Sequence, residues 1–154
     1  MKGYVENQIT ILGDCEKIFE YTNDVLNWSE LFDEYETVKV LLKTENEVTF
    51  TLRHKNGNEW TSKRITNRSK MKVRGKRMTS MFPFSKMDIY WFYEKLPSEI
   101  GCTMCWIQIF NLDESFAEHE VYRMESFLNK NTRKEMKRIK NILEDKWKND
   151  IIRK

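Results

Sequence analysis

A chain of 154 residues, 33% charged and 40% hydrophobic, is expected to fold as one domain over residues 1–154 and not to remain disordered. No apolar run reaches the length of a membrane span and no signal peptide is evident, so a cytoplasmic address without membrane contact is expected. The net charge of +3 is unevenly spread: Arg123 to Lys154 holds 11 Lys/Arg against 5 Asp/Glu, and Lys63 to Lys86 holds no acid at all.

Tyr4 to Leu12 alternates polar and apolar residues and reads as a first strand. Asp14 is placed to cap a helix with Glu16 in its first turn. Ile18, Phe19, Val25, Leu26, Leu31 and Phe32 then recur at helical intervals through a pair of short helices. Thr37–Leu42 and Glu47–Leu52 are β-branched runs joined by a polar turn, and Lys55-Asn56-Gly57-Asn58 predicts a hairpin with a type I′ turn. Glu59–Asn67 and Lys70–Thr79 follow as strands, and Phe82-Pro83-Phe84 interrupts the ladder. Met87–Leu96 and Cys102–Leu112 are two more strands around the turn Pro97-Ser98-Glu99-Ile100-Gly101. From about Phe116 the period becomes helical, with Met124, Phe127, Leu128, Met136, Ile139, Ile142 and Leu143 as one apolar stripe. This order predicts an α+β fold: a curved antiparallel sheet gripping a long C-terminal helix, with two short helices after the first strand.

Alternate residues of a strand share a face. Trp60, Ser62 and Arg64 therefore point one way, as do Met87, Ile89, Trp91 and Tyr93, and Met104, Trp106, Gln108 and Phe110. If these faces look inward, three indoles line one wall of a container whose polar exceptions are Ser62, Arg64, Gln108 and, on the helix, Asn131. Convergent polar groups in an apolar container are expected of a ligand site, although aromatics also simply fill cores. Arg64 is the hardest to read as structural, because no acid lies between Glu59 and Asp88 to pair with it. Tyr35 could present a phenol at the cavity mouth. Cys102 and Cys105 have a CxxC spacing without a second pair, and with Cys15 they are expected as reduced thiols, with no metal and no cofactor.

Four stretches then match a known family in order. Thr22-Asn23-Asp24-Val25 with Trp28-Ser29-Glu30-Leu31-Phe32-Asp33-Glu34-Tyr35, Trp60-Thr61-Ser62-Lys63-Arg64, Pro83-Phe84 with Met87, Ile89, Trp91, Tyr93 and Glu94, and Asn129-Lys130-Asn131-Thr132-Arg133 with Met136 carry the resemblance. The chain resembles the aromatase/cyclases of bacterial type II polyketide synthases, within the START-like (SRPBCC) helix-grip superfamily that also includes Bet v 1-like proteins. The resemblance implies a seven-stranded sheet and a cavity lined by Trp28, Phe32, Trp60, Phe84, Met87, Trp91 and Trp106. Its polar groups would be Arg64, Ser62, Tyr35, Gln108 and Asn131. Ser29 stands where proline is usual and Glu135 where glutamine is common, both taken to lie outside the polar constellation.

What the family implies is an enzyme that takes a linear poly-β-ketone from an acyl carrier protein and fixes where the first ring closes, as monomer or homodimer beside other synthase components. Arg64 would polarise the attacked carbonyl, Tyr35 or a water held by Ser62 would move protons, and Gln108 and Asn131 would orient the chain. A START-like carrier of a lipid, quinone or polyketide would use the same cavity without chemistry. Nucleic-acid binding, suggested by the basic stretches, gives way to a solvated outer face on Lys70, Lys72, Arg74 and Lys76 and to docking of an acidic carrier protein.

Overall fold

The computed structural model describes residues 2–79, 82–98 and 100–149; Ser80 and Met81 of the acid-free stretch, Glu99 of the expected turn and residues 150–154 of the basic tail lie outside them. The chain runs β1 (Lys2–Leu12), α1 (Cys15–Asn23), a 3₁₀ turn (Val25–Asn27), α2 (Trp28–Leu31), β2 (Tyr35–Lys43), β3 (Glu47–His54), β4 (Glu59–Asn67), β5 (Lys72–Arg77), β6 (Phe84–Lys95), β7 (Gly101–Leu112) and α3 (Glu118–Lys146). All seven strands form one antiparallel sheet in the order β1-β7-β6-β5-β4-β3-β2. Among the described residues no helix is long and apolar enough to cross a membrane.

Local chemistry accounts for the ends of the elements. Asp14 caps α1 by accepting hydrogen bonds from the backbone N–H groups of Glu16 and Lys17 at 2.9 and 3.1 Å, which satisfies donors that have no partner inside the helix. The 55–58 turn departs from type I′. Gly57 alone takes a positive φ, +92°, whereas Asn56 does not, and the Gly57 N–H donates to the His54 carbonyl at 2.9 Å. With four loop residues between the strands, a single left-handed glycine suffices to reverse the chain, so the paired positive φ of a two-residue loop is not needed. β5 starts at Lys72, two residues later than expected, because residues 68–71 turn and Met71 adopts φ +51°. Lys70 thus belongs to that turn, while Lys72, Arg74 and Lys76 stand exposed on the outer face.

α3 lies along β1 and fastens to it through polar side chains. Glu125 and Glu144 accept from the Tyr4 and Leu12 backbone N–H groups at 2.8 and 3.0 Å, and the Lys140 ammonium donates to the Thr10 carbonyl at 2.6 Å. The face it buries carries Val121, Leu128, Thr132, Glu135, Met136, Ile139 and Leu143. Phe127, expected in that stripe, is 64% exposed, because at about 100° per residue it falls one step outside the line through Leu128 and Thr132. Two apolar clusters result. The smaller joins Val5, Met87, Phe110, Leu112, Val121 and Leu128 at one end. The larger surrounds Trp28, Trp60, Trp91 and Trp106 and reaches Met136, Ile139 and Leu143 on α3. The larger one is incompletely filled.

Candidate active site

Between the concave sheet and α3 lies a cavity of about 100 Å³. Of the residues expected to form it, Trp28, Phe32, Tyr35, Trp60, Ser62, Arg64, Met87, Trp91, Trp106, Gln108 and Asn131 all line it. Phe84 does not. The register shift between Phe84 and Lys86 sets Phe84 opposite Leu112, and its ring packs edge-on to Phe110 at 5.5 Å within the smaller apolar cluster at the end of the sheet, away from the cavity.

Strand alternation supplies the aromatic walls. Trp91 of β6 is the cross-strand partner of Trp106 of β7, and their indoles stack 4.2 Å apart at an interplanar angle of 9°. Trp28 of α2 stacks against Trp91 at 5.7 Å, and Phe32 against Trp106 at 5.7 Å. Large planar rings that brace one another hold a wall in place at little conformational cost.

Arg64 enters this apolar setting from β4 and is 3% exposed. Its guanidinium lies over the Trp91 ring at 4.1 Å and the Trp28 ring at 4.9 Å, so π faces replace part of its lost hydration. Nη2 donates to the Asn23 side-chain oxygen at 2.8 Å. The orientation of that amide is fixed, because its nitrogen donates to the Phe19 carbonyl at 2.8 Å and to the Tyr93 hydroxyl at 3.2 Å. Gly75, opposite Arg64 on β5, makes room for the group: a Cβ there would sit 3.2 Å from Nη1. Burial lowers the Arg64 pKa to about 10, which leaves the group a cation at neutral pH. Nε is buried and takes no hydrogen-bond partner among the described residues.

Arg77, on β5 beside Ser62, is a second guanidinium on the sheet wall. It lies over Trp60 at 4.9 Å and Phe84 at 5.6 Å, and its buried Nη1 is also without an acceptor. So is the buried Trp106 indole N–H. Three donors on cavity-lining residues thus find no acceptor among the described residues.

The opposite side carries acceptors. Glu34 follows α2, and its carboxylate faces His54 Nε2 at 3.3 Å and the Asn131 amide at 3.5 Å. Glu135 on α3 lines the cavity and is 4% exposed, so it sits inside the polar constellation and not outside it as expected. The helical phase explains this: Glu135 is seven residues beyond Leu128 and three beyond Thr132, on the buried face. Thr132 donates to the Gln108 side-chain oxygen at 3.0 Å and links α3 to β7. The half-buried Tyr35 packs against Trp28, Phe32 and Trp60, and burial pushes its phenol well above the usual range.

Four of these groups escaped the reading of the sequence. The alternation Val73, Gly75, Arg77 would have placed Arg77 inward, and the seven-residue spacing from Leu128 would have placed Glu135. Glu34 and Asn23 reach the site only through tertiary packing. Among the described residues no three His, Cys, Asp or Glu side chains converge as metal ligands.

No family model matches the chain. A protein of Streptomyces cyaneus named as a polyketide cyclase is 35% identical over 150 residues, covering 94% of this chain and 96% of its own. Among solved structures, the Zhui aromatase/cyclase from a Streptomyces species superposes with a TM-score of 0.84 at 16% identity, over 94% of each chain. A START superfamily protein from Mycobacterium smegmatis gives 0.73 at 10% identity, over 91% of this chain and 98% of its own. The structural likenesses establish a START-like fold, and the sequence likeness goes further: this chain belongs to the polyketide cyclases.

Proposed function

We propose that the chain is an aromatase/cyclase that takes a linear poly-β-ketone from an acyl carrier protein and directs first-ring aldol closure and dehydration. The observation that carries this reading is the set of buried donors without acceptors: Arg64 Nε, Arg77 Nη1 and Trp106 Nε1. A buried donor left unmade costs about 1–3 kcal/mol, so such a wall favours a ligand rich in acceptors. A chain with a carbonyl on alternate carbons is rich in acceptors, while its methylenes suit the indole faces. The family membership and the name of the structural neighbour support the same chemistry.

The residues divide the work by their chemistry. A methylene between two carbonyls enolises readily, so the main task is to set one enolate carbon against one chosen carbonyl. Arg64, a fixed cation held by Asn23 and two indoles, donates to the attacked carbonyl and stabilises the alkoxide as it forms. The Tyr35 phenol stays protonated and can give a proton to that alkoxide but cannot act as a base. Ser62 and Gln108 orient neighbouring carbonyls, and Asn131 steadies Glu34 at the rim. At about 100 Å³ the cavity is smaller than the ~300–1,000 Å³ of common ligand sites, so entry of a chain requires its side-chain walls to part. The basic outer residues Lys72, Arg74 and Lys76 suit an acidic carrier protein.

The deciding experiment adds the protein to a reconstituted minimal synthase and compares products. Wild type is expected to shift shunt products to one ring pattern, and Arg64→Ala to lose that shift with an unchanged circular dichroism spectrum. A carrier would leave the product spectrum unaltered in both cases, and that result would overturn the reading.

A further inference from the structure

We propose that Glu135 is the base of the ring closure: its carboxylate takes the methylene proton, returns it to the new alkoxide, and then carries a second α-proton to the hydroxide lost as water. This rests on the cyclase reading above and adds the group that reading leaves unassigned.

The assignment follows from what each polar group at the cavity is free to do. Arg64 is a cation, and the Tyr35 phenol is held protonated, so neither accepts a proton. Glu34 is already engaged by His54 and Asn131. Glu135 is 4% exposed, yet among the described residues its only hydrogen bond is from the Asp33 backbone N–H to Oε2 at 3.3 Å. Among the described residues Oε1 takes no partner and the carboxylate forms no ion pair. A carboxylate seldom sits buried with so little compensation.

The electrostatic surroundings suit a base. Burial, then the nearby Glu34 charge, raise the Glu135 pKa, with Asp33 adding to the rise. Against them act the Asp33 N–H and Arg138 on the same helix. A carboxylate whose conjugate acid is raised above the ordinary value is a stronger base. Arg64 and Arg77 approach the same cavity from the sheet, so the acceptor of the proton and the stabiliser of the alkoxide stand on opposite walls.

The steps balance. The Glu135 carboxylate takes a proton from a methylene, and the C–H electron pair passes into an enolate. The enolate carbon bonds to the chosen carbonyl carbon, and that carbonyl's π pair becomes an alkoxide beside Arg64. The Glu135 carboxyl, or Tyr35 in exchange with it, returns a proton to give the alcohol. For dehydration the restored carboxylate takes a second α-proton, the C–O bond breaks, and the departing hydroxide receives that proton as water. The carboxylate is regenerated, and no oxidant, reductant or metal is required.

Glu135→Gln keeps the size of the side chain and an acceptor for the Asp33 N–H, so it separates a proton-transfer role from a structural one. The probe is solvent deuterium exchange at C2 of acetoacetyl-pantetheine, which has one activated methylene and cannot close a ring. Wild type is expected to exceed the buffer rate, with activity falling as pH drops through a midpoint above that of an ordinary glutamate. Glu135→Gln is expected to lose roughly 10²–10⁴-fold and to lose that acid limb, whereas Glu135→Asp should be slower but keep it. Should Glu135→Gln not fold, the limb in Glu135→Asp decides. Exchange by Glu135→Gln at the wild-type rate or with the wild-type pH profile overturns the proposal, as does a wild-type rate no faster than buffer. If exchange behaves as expected while wild type leaves the synthase products unchanged, the cyclase reading fails and the base assignment stands.

Discussion

The two walls of the cavity hold opposite charges by different means. On the sheet side Arg64 and Arg77 are pressed against indole and phenyl faces, and Arg64 has one neutral hydrogen-bond partner, Asn23. On the other side Glu34 and Glu135 lean on His54, Asn131 and a backbone amide. Among the described residues no ion pair joins Arg64 or Arg77 to Glu34 or Glu135. Had they neutralised each other, the site would be a buried salt bridge, with its field spent on itself. Kept apart, the charges leave a gap across which a ligand's carbonyls experience both.

The sheet wall breaks most sharply at Arg64. Arg64→Lys keeps the charge but cannot stack flat on Trp91 or reach Asn23 with a planar fork, so ring-specific product should fall by roughly 10²-fold or more in the synthase assay. The wild-type enzyme should also lose activity above pH about 10, since the lowered pKa means the cation is lost as pH rises through that value. Next in size, Asn23→Ala removes the hydrogen bond that aims the guanidinium. A charge-assisted bond of about 1.5–3 kcal/mol implies roughly a 10- to 100-fold drop in kcat/KM, with the fold kept. Gly75→Ala pushes a methyl toward Nη1, 3.2 Å away, and should slow turnover severalfold in steady-state kinetics. The smallest effect belongs to a residue on neither wall: Phe127→Ser should change unfolding free energy by less than about 0.5 kcal/mol in a urea titration.

The contrast also explains what could be read from the sequence. Strand parity is a period of two, and it placed Trp60, Ser62, Arg64, Trp91, Trp106 and Gln108 on one concave face. The same rule covers Arg77, but a run in which Lys72, Arg74 and Lys76 face water hid an inward arginine one step later. Phe84 was expected from the resemblance and not from alternation, and it instead fills the smaller apolar cluster beside Phe110. On the helix, the stripe was drawn through apolar residues only, so Phe127 was included and Glu135 left out, although helical phase favours Glu135. Asn23 and Glu34 lay beyond any local pattern. Asn23 ends α1, and its partner Arg64 lies 41 residues away on β4.

The fastening of α3 to β1 bears on how this protein keeps to itself. β1 is one border of the sheet, and Glu125, Glu144 and Lys140 occupy main-chain groups there that an incoming strand would need. The other border, β2, has no such guard among the described residues, and it exposes Leu41 and Leu42 at 52% and 65%. It is instead irregular, with register shifts at Tyr35/Thr37 and Val40/Leu42, and it exposes Lys39 and Lys43. Bulges and lysines discourage edge-to-edge pairing. Strand-by-strand growth into aggregates is therefore blocked on one side by a helix and resisted on the other by a crooked, charged rim.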